Sequence, residues 1–312
     1  MKLTKTLFAI AFATVGPLHG QIFVANYFSP STIGEYTMSG ATVNASLFSL
    51  PGNANGLTWD GRGNLFVSRQ DGSGVGQYTT SGATVNDSLI NGLNYPSGIT
   101  ADGNGNLFVY DTGPQYFGRI GKYTTAGATV NDSLVVDAGR ISCLAYDGNG
   151  HVLASRPKNV PYDYTGNAIA EYTTSGELVN PSFITGLNFP MGITFDGNGH
   201  LFVENLGSGT VGEYTTSGVT VNASLITGLT TPTAIACDGL GHLFVANGGV
   251  STPYSSSILE YTTAGVRVNS FLISGMLGPV GIVVVPEPSS AIFVMVGATI
   301  LVCGRIGRRT RI

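Results

Sequence analysis

The stretch Tyr95-Pro-Ser-Gly-Ile-Thr-Ala-Asp-Gly-Asn-Gly-Asn-Leu-Phe-Val109 recurs along the chain with small changes. Its Asp-Gly-Asn-Gly portion predicts a tight turn, because glycine tolerates positive φ angles at which other residues clash. The apolar Leu-Phe-Val that follows predicts a short buried strand. Five copies of this turn and strand begin at aspartates spaced by 42, 45, 49 and 42 residues, namely Asp60, Asp102, Asp147, Asp196 and Asp238. The chain is therefore built from one repeated unit, and Gln21-Ile-Phe-Val24 is a truncated first copy.

A second element, typified by Gly212-Glu-Tyr-Thr-Thr-Ser-Gly218, follows each copy and occurs six times. Val-Asn and a short apolar run come after it, as in Val85-Asn-Asp-Ser-Leu-Ile90. One unit is thus predicted to contain four strands, at residues 98–101, 106–110, 120–125 and 129–136. A period in the low-to-mid forties with four strand-like runs is typical of a β-propeller blade. Because a lone blade cannot bury both faces, the blades must pack against one another.

The two ends of the repeat region complete each other. Gly278-Pro-Val-Gly-Ile-Val283 matches the segments at 95–100 and 189–194, so it is the first strand of a blade whose remaining strands begin at Gln21. Such pairing closes the ring and removes the exposed sheet edges of an open array. The sequence therefore predicts an all-β, six-bladed propeller of four-stranded blades over residues 21–285.

Composition excludes two classes of protein. The chain has 45 glycines and only 10% charged residues, which argues against a helical bundle because glycine is poor in helix interiors. Residues 21–285 contain eight basic and seventeen acidic side chains, a net charge of −9. No basic stripe is available to replace phosphate counterions, so we expect no nucleic-acid partner.

The three cysteines do not suggest a redox or zinc site. Cys143 and Cys237 lie at non-equivalent positions in repeats that are not neighbours, and no Cys-x-x-Cys pair occurs. We interpret both as small buried residues, although an exported protein could form a disulfide. Cys303 lies in an apolar C-terminal segment.

Both chain ends have the character of targeting signals. Residues 1–20 combine Lys2 and Lys5 with an apolar run and a small residue at the end, which predicts a secretory signal peptide; a buried N-terminal helix is the alternative. At the other end, Pro286-Glu287-Pro288 precedes an apolar segment at 291–303 and an arginine-rich tail, Arg305 to Arg311. This order predicts a short transmembrane helix with a cytoplasmic positive flank.

The C-terminal layout, residues 286–312, closely resembles the PEP-CTERM sorting signal of Gram-negative bacteria. The resemblance implies that Pro286, Glu287 and Pro288 are recognised by exosortase, a membrane cysteine protease. It also implies anchoring in the inner membrane before processing, and then delivery to the cell surface or extracellular matrix together with polysaccharide. An ordinary C-terminal anchor is the alternative, because it also has a span and a positive flank.

The repeat pattern Pro-x-Gly-Ile-Thr-x-Asp-Gly-x-Gly-x-Leu-Phe-Val resembles the NHL repeat and, more loosely, gluconolactonase-like and virginiamycin-lyase-like propellers. These propellers host many unrelated functions, so the resemblance implies the fold and not an activity. The lyase-like proteins use a histidine and magnesium, but none of the histidines here matches that site. The gluconolactonase-like metal site uses a ring of carboxylates and amides, which Asp111 with Asn205 or Asn247 could imitate, although the expected acidic pattern is missing.

Several repeated polar residues are explained by the repeat itself. His151, His200 and His242 occupy a turn position that is asparagine in other units, so they do not suggest catalysis. The Asp-Gly-Asn-Gly motif lacks the length and the bidentate acid of a calcium loop and indicates a hairpin turn. Four Asn-x-Ser sequences belong to the predicted outermost strands, and glycosylation is a minor alternative there; they begin at Asn44, Asn86, Asn131 and Asn222.

A set of polar residues two positions after the Leu-Phe-Val strand carries the site prediction. We expect them in loops on one rim near the central channel, where a rigid scaffold would present them to a ligand. They are Asn26, Arg69, Asp111, Arg156, Asn205 and Asn247. Nearby aromatics could add a sugar-stacking surface: Tyr27, Phe28, Tyr116, Phe117, Tyr162 and Tyr164. The longest insertions, at 111–119 and 156–167, fall on the same rim, but a solvated rim without ligand is the alternative.

These observations favour an exported, non-enzymatic cell-surface or matrix protein whose propeller binds polysaccharide or protein. Neither a cofactor nor a metal is expected. The alternative is an exported metal-dependent propeller lyase or lactone hydrolase, and a third possibility is a structural spacer without ligand.

Overall fold

The computed structural model describes residues 20–71, 74–113, 118–136, 138–157, 167–248 and 256–286. Across these ranges the chain forms 24 strands, arranged in six four-stranded sheets. Blade 1 contains β1 (Gln21–Asn26), β2 (Thr32–Thr37) and β3 (Thr42–Ser49), together with the last strand of the chain, β24 (Pro279–Val285). Blade 2 contains β4 (Ala54–Trp59), β5 (Asn64–Arg69), β6 (Gly74–Thr79) and β7 (Thr84–Ile90), and blade 3 contains β8 (Ile99–Ala101), β9 (Asn106–Asp111), β10 (Arg119–Thr124) and β11 (Thr129–Val136). Blade 4 contains β12 (Cys143–Tyr146), β13 (His151–Arg156), β14 (Ala168–Thr173) and β15 (Leu178–Ile184); blade 5 contains β16 (Pro190–Phe195), β17 (His200–Asn205), β18 (Thr210–Thr215) and β19 (Thr220–Ile226); and blade 6 contains β20 (Ala234–Cys237), β21 (His242–Asn247), β22 (Ser256–Thr262) and β23 (Arg267–Met276).

The ring closes by pairing its last strand with its first. Strand β24 is antiparallel to β1, with Ile282 opposite Val24 and Val283 opposite Phe23. The sheet order of blade 1 is β24-β1-β2-β3, so β24 is its innermost strand. The predicted six blades, their four strands and their closure are confirmed.

The Asp-Gly-Asn-Gly turns have the predicted geometry. In blade 3, Gly103 and Gly105 have φ angles of 70° and 96°. The carboxylate of Asp102 accepts hydrogen bonds from the backbone N–H of Asn104 at 2.8 Å and of Asn106 at 3.0 Å. Its second oxygen accepts the Asn106 side-chain amide at 2.6 Å. The turn is therefore held by one aspartate that satisfies three donors.

Neighbouring blades share their cores. Successive residues of a strand point to opposite faces, so Leu107 and Val109 pack against blade 2 while Phe108 packs against blade 4. Close approach of the innermost strands explains the glycine of Pro-x-Gly-Ile in blade 3, because a Cβ on Gly98 would lie 2.9 Å from the Leu144 backbone nitrogen. The repeated motif thus encodes contacts between blades as well as the strands within them.

Several predictions fall outside or near the edge of the described ranges. The signal at 1–20, apart from Gly20, and the C-terminal segment beyond Pro286 lie outside the described residues. No helix long and apolar enough to cross a membrane occurs in the ranges that the structure describes. Cys143 and Cys237 are free thiols, but they are half-buried and not fully buried, because they lie on innermost strands that border the channel.

Candidate ligand site at one mouth of the channel

The six polar residues predicted as a rim site occupy equivalent positions, but they lie at strand ends and not in loops. Each is the last residue of the second strand of its blade, and Asn247 is half-buried whereas the other five are buried: Asn26, Arg69, Asp111, Arg156 and Asn205. With one residue in each blade, the set is distributed around the ring. The structure therefore corrects their expected location, and a ligand role for them stays a prediction.

Contacts within the protein engage these side chains. The Asp111 carboxylate receives Arg119 Nε at 2.8 Å and Nη2 at 3.0 Å, together with the Gly113 N–H. Arg69 Nη2 donates to the Asp87 carbonyl at 2.5 Å. The Oδ1 atoms of Asn205 and Asn247 accept the N–H groups of Asn188 at 3.1 Å and Thr230 at 2.7 Å, respectively. The asparagine and Asp111 bonds fasten segments at the mouth, whereas the Arg69 bond reaches the outermost strand of blade 2.

In four blades, the residue that directly follows the predicted rim residue borders the channel. A cavity of about 810 Å³ opens between the innermost strands at the end where those strands begin, which we call the upper mouth. Its lining includes the neighbours of Asn26, Arg69, Asp111 and Asn205, which are Tyr27, Gln70, Thr112 and Leu206. Adjacent residues in an extended chain face opposite sides, which is why these neighbours line the cavity and the predicted residues do not.

A second ring of equivalent positions supplies the most distinctive side chains of the upper mouth. Each innermost strand has an isoleucine or leucine that pairs with the middle of the second strand, as Ile99 pairs with Val109 in blade 3. The ring position lies four residues before that isoleucine or leucine. From blade 1 to blade 6 the residues are Gly278, Asn53, Tyr95, Arg140, Phe189 and Thr231. The three in adjacent blades 3, 4 and 5 line the cavity, which places a cation between two aromatic rings around the mouth.

The two aromatic residues of this ring have a strained backbone. Tyr95 and Phe189 have φ angles of 48° and 55°, in the left-handed region that favours glycine. The equivalent residue of blade 1 is Gly278, with φ of 67°. Such a conformation costs of order 1 kcal/mol for a non-glycine residue. Because Tyr95 remains 48% exposed, burial of its ring does not explain its presence.

Arg140 is exposed at the mouth beside a buried tyrosine. Burial raises the pKa of Tyr110, while its hydrogen bond with the backbone of Ile141 and the nearby charge of Arg140 act in the opposite direction. Tyr110 also lines the cavity. The phenol therefore remains neutral at physiological pH and lies close to the guanidinium group.

Hydrogen bonds between blades hold the mouth in place. Asn55 Nδ2 donates to the Pro96 carbonyl at 3.2 Å, and Ser97 Oγ donates to the Ile141 carbonyl at 3.0 Å. Thr233 Oγ1 donates to the Pro279 carbonyl at 2.7 Å. These bonds link the segments that carry Tyr95 and Arg140 to adjacent blades, so the site is organised before any ligand arrives.

The predicted aromatic surface is found in part. Tyr27 lines the cavity, and its backbone N–H bonds to the Gly278 carbonyl at 2.9 Å. Phe28 packs edge-on against Tyr27, with ring centroids 5.7 Å apart. The other four predicted aromatics lie outside the described residues: Tyr116, Phe117, Tyr162 and Tyr164.

One ionisable group lies buried beneath the mouth. Glu204 is fully buried, and desolvation raises its pKa to about 8 although the Gly192 N–H donates to its Oε2 at 3.3 Å. Its Oε1 has no hydrogen-bond partner among the described residues. Desolvation likewise raises the pKa of the nearby Cys143 thiol to about 11, so this cysteine is not a nucleophile at neutral pH.

The described residues do not assemble a site typical of a metal or a triad. No group of three histidine, cysteine or acidic side chains suited to a metal occurs within the ranges given above. Each histidine is the first residue of the second strand of its blade, directly after the turn, and its Nδ1 lies 2.9–3.1 Å from the aspartate that opens that turn. The structure thus places them at strand starts beside the turns in which they were predicted.

Tyr95, Arg140 and Phe189 were not predicted as site residues from the sequence. A signal was present, because the residue at this position changes chemical type from unit to unit, although the full Pro-x-Gly-Ile motif follows it only at Tyr95, Phe189 and Gly278. This position therefore holds a different residue in each of the six blades.

No protein-family model matches the chain, and no curated protein matches it in sequence. Solved structures do share its fold. A chain from the nidogen/laminin complex is 15% identical with a TM-score of 0.65, covering 85% of this chain and 98% of its own. A gluconolactonase from Xanthomonas campestris is 13% identical with a TM-score of 0.61, covering 88% and 97%. The calcium-binding protein regucalcin from Agrobacterium tumefaciens is 13% identical with a TM-score of 0.53, covering 72% and 75%. Identities this low show a shared NHL- and gluconolactonase-like propeller fold and not a shared activity.

Proposed function

We propose that this protein is an exported, non-enzymatic surface protein whose propeller binds a saccharide chain at the upper mouth. The observation that carries the proposal is the pair of strained aromatic residues, Tyr95 and Phe189, at equivalent positions beside the cavity. Backbone strain that the fold does not need is typical of binding sites. Glycine would occupy either position without strain, as Gly278 does in blade 1.

The dimensions and chemistry of the mouth suit such a ligand. A cavity of about 810 Å³ is in the usual size range of ligand pockets. Its walls combine aromatic faces with a few fixed polar groups, and tyrosine offers both an apolar ring and a polar tip. A pyranose ring has the same dual character, with apolar C–H faces and hydroxyl edges.

Binding is tested by exposing the full chain, purified in detergent, to an array of bacterial polysaccharides and oligosaccharides. The double variant Tyr95→Ala/Phe189→Ala should lose at least about tenfold in affinity for any saccharide that binds, since buried aromatic contacts dominate binding energy. The matched control is Phe271→Ala, which removes a 72% exposed ring from the outermost strand of blade 6. Equal losses in the two variants would contradict a site at the mouth.

Export and sorting form the second part of the proposal. It is supported by the signal-like residues 1–20 and by the order of Pro286, Glu287 and Pro288, apolar segment and arginines. The last strand of the propeller ends at Val285, so cleavage after it would leave every blade intact. In a host with an exosortase, changing these three residues to alanine should leave the tail on the protein and retain it in the inner membrane. Unchanged release of the triple variant would contradict this sorting route.

The alternative of a metal-dependent lyase or lactone hydrolase makes a different prediction. A ligand that binds only the folded state raises the unfolding temperature. We expect calcium, magnesium and zinc to leave the Tm unchanged. A saturable rise with one of them would favour the enzyme.

A further inference from the structure

The upper mouth differs in charge from the rest of the propeller. Residues 21–285 carry a net charge of −9. Arg140 is the one charged residue that lines the cavity among those the structure describes, and it is exposed there. A positive group is thus presented at the mouth of an otherwise acidic protein.

Among the basic residues that the structure describes, Arg140 also differs in the contacts of its side chain, since its charge acts on the nearby Tyr110 phenol without a hydrogen bond or an ion pair. Seven basic residues of the propeller are described, and six of them interact with other protein groups: Arg62, Arg69, Arg119, Lys122, Arg156 and Arg267. Across the described ranges, Arg140 forms neither a hydrogen bond through its side chain nor an ion pair. A structural role therefore accounts for the other six cations and not for this one.

The neighbours of Arg140 indicate what it would bind. Tyr95 and Phe189 occupy the equivalent positions of the two adjacent blades, and all three side chains line the same cavity. A guanidinium group offers a planar fork of donors that matches a carboxylate in two parallel hydrogen bonds. Flanking aromatic rings add the surface on which sugar rings can lie.

We infer that the upper mouth selects an acidic saccharide, whose anionic group binds Arg140 while neighbouring sugar rings lie on Tyr95 and Phe189. The inference rests on the proposed saccharide site and adds its ligand class. The fork geometry favours the carboxylate of a uronic acid. A sulfate ester offers similar oxygens and is distinguished in the experiment.

The test compares three oligosaccharides of equal length on the full chain by calorimetry: an oligouronate, a sulfated chain and a neutral glucan. At about 50 mM salt we expect the oligouronate to bind roughly fivefold more tightly than the neutral chain, because an exposed ion pair is worth about 1 kcal/mol and is screened as salt rises. Arg140→Gln should abolish this preference, so that the oligouronate and the neutral chain bind the variant with equal affinity, and Arg140→Lys should restore part of it.

The matched control is Arg62→Gln, which removes the same charge from an exposed turn at the opposite end of the channel. If Arg62→Gln keeps the preference for the oligouronate over the neutral chain, a direct contact between Arg140 and the anionic group is supported. If Arg62→Gln and Arg140→Gln lose that preference equally, the net charge of the protein explains it and the direct contact is overturned. Equal binding of all three chains would overturn the inference but not the saccharide site. Tighter binding of the sulfated chain would replace the uronate with a sulfate ester. Binding of none would overturn both proposals. Unfolding temperatures within about one degree of the parent confirm that each variant is folded.

Discussion

The two ends of the channel are built from the same repeat, yet they differ in regularity. At the lower end, where the innermost strand turns into the second, five blades use the same Asp-Gly-x-Gly turn, and its aspartate is satisfied by hydrogen bonds. At the upper mouth, the equivalent ring position holds six different residue types, two of them strained. The comparison teaches that regularity maintains the fold, whereas the departures from it fall at the mouth where we propose that a ligand binds.

Two acids of blade 5 show this difference within one pair of strands. Burial alone would raise the pKa of Asp196 at the lower end, but bonds from the Asn198 N–H and from His200 lower it below its usual value. Burial raises the pKa of Glu204, nearer the upper mouth, to about 8, because a single Gly192 N–H partly offsets desolvation. The first acid is stabilised when ionised and the second when protonated.

The largest expected effect comes from Glu204. Its folded-state pKa is raised, so the folded protein holds a proton that the unfolded chain releases above pH 4.5. Its contribution to stability is therefore complete below pH 4.5 and is lost as pH rises through about 8. Relative to Glu204→Gln, the parent should lose a few kcal/mol of unfolding free energy between pH 5 and pH 8, at about 1.4 kcal/mol per pKa unit. Urea unfolding at several pH values measures this difference.

A control variant, Glu177→Gln, removes an exposed carboxyl from a turn of blade 4 and should leave the pH dependence unchanged. If Glu204→Gln kept the slope of the parent, this acid would be ionised within the fold, and the contrast between the two ends would fail.

The next largest effect is expected from Asp196 and has the opposite sign with pH. Asp196→Ala leaves the donors of Asn198 and His200 unsatisfied, which should cost about 1–3 kcal/mol of unfolding free energy at pH 7. Because the folded pKa of Asp196 is lowered, this contribution is present above its unfolded value and is lost as pH falls through the folded value. The gap between parent and variant in urea should therefore narrow below about pH 4. Saccharide binding should not change, and a loss of affinity would show that the lower end also serves the ligand.

The regular part of the molecule could be predicted from the sequence because its determinants are local. In blade 3 the predicted strands at 98–101, 106–110, 120–125 and 129–136 compare with Ile99–Ala101, Asn106–Asp111, Arg119–Thr124 and Thr129–Val136. Turn glycines and strand alternation act over a few residues, so they fix such bounds closely. Closure through β24 was equally accessible, because its motif repeats that of other innermost strands.

The site could be predicted only in part, because it depends on orientation and on ring closure. Whether Asn26 or Tyr27 faces the channel is decided by a single step along the chain, and one step reverses the side. Tyr95, Arg140 and Phe189 are 45 and 49 residues apart and meet only because adjacent blades pack around one axis. Backbone strain at Tyr95 is likewise invisible in a sequence.

The smallest expected change in stability is the most direct test of purpose at the mouth. Tyr95→Gly relieves a strain of about 1 kcal/mol, and the added backbone entropy of glycine opposes it by about 0.5–1 kcal/mol. The unfolding free energy should therefore stay within about 1 kcal/mol of the parent, although an aromatic ring has been removed. Tyr95→Ala keeps the strain but avoids the entropy cost of glycine, so it should be less stable than Tyr95→Gly by only up to about 0.5 kcal/mol. Both variants should lose saccharide affinity to the same degree, measured by calorimetry beside urea unfolding.

A loss of unfolding free energy above about 3 kcal/mol in both variants would mean that the ring is part of the core, because truncation of a packed aromatic has that cost. The strained position would then belong to the framework, like the turns at the other end of the channel.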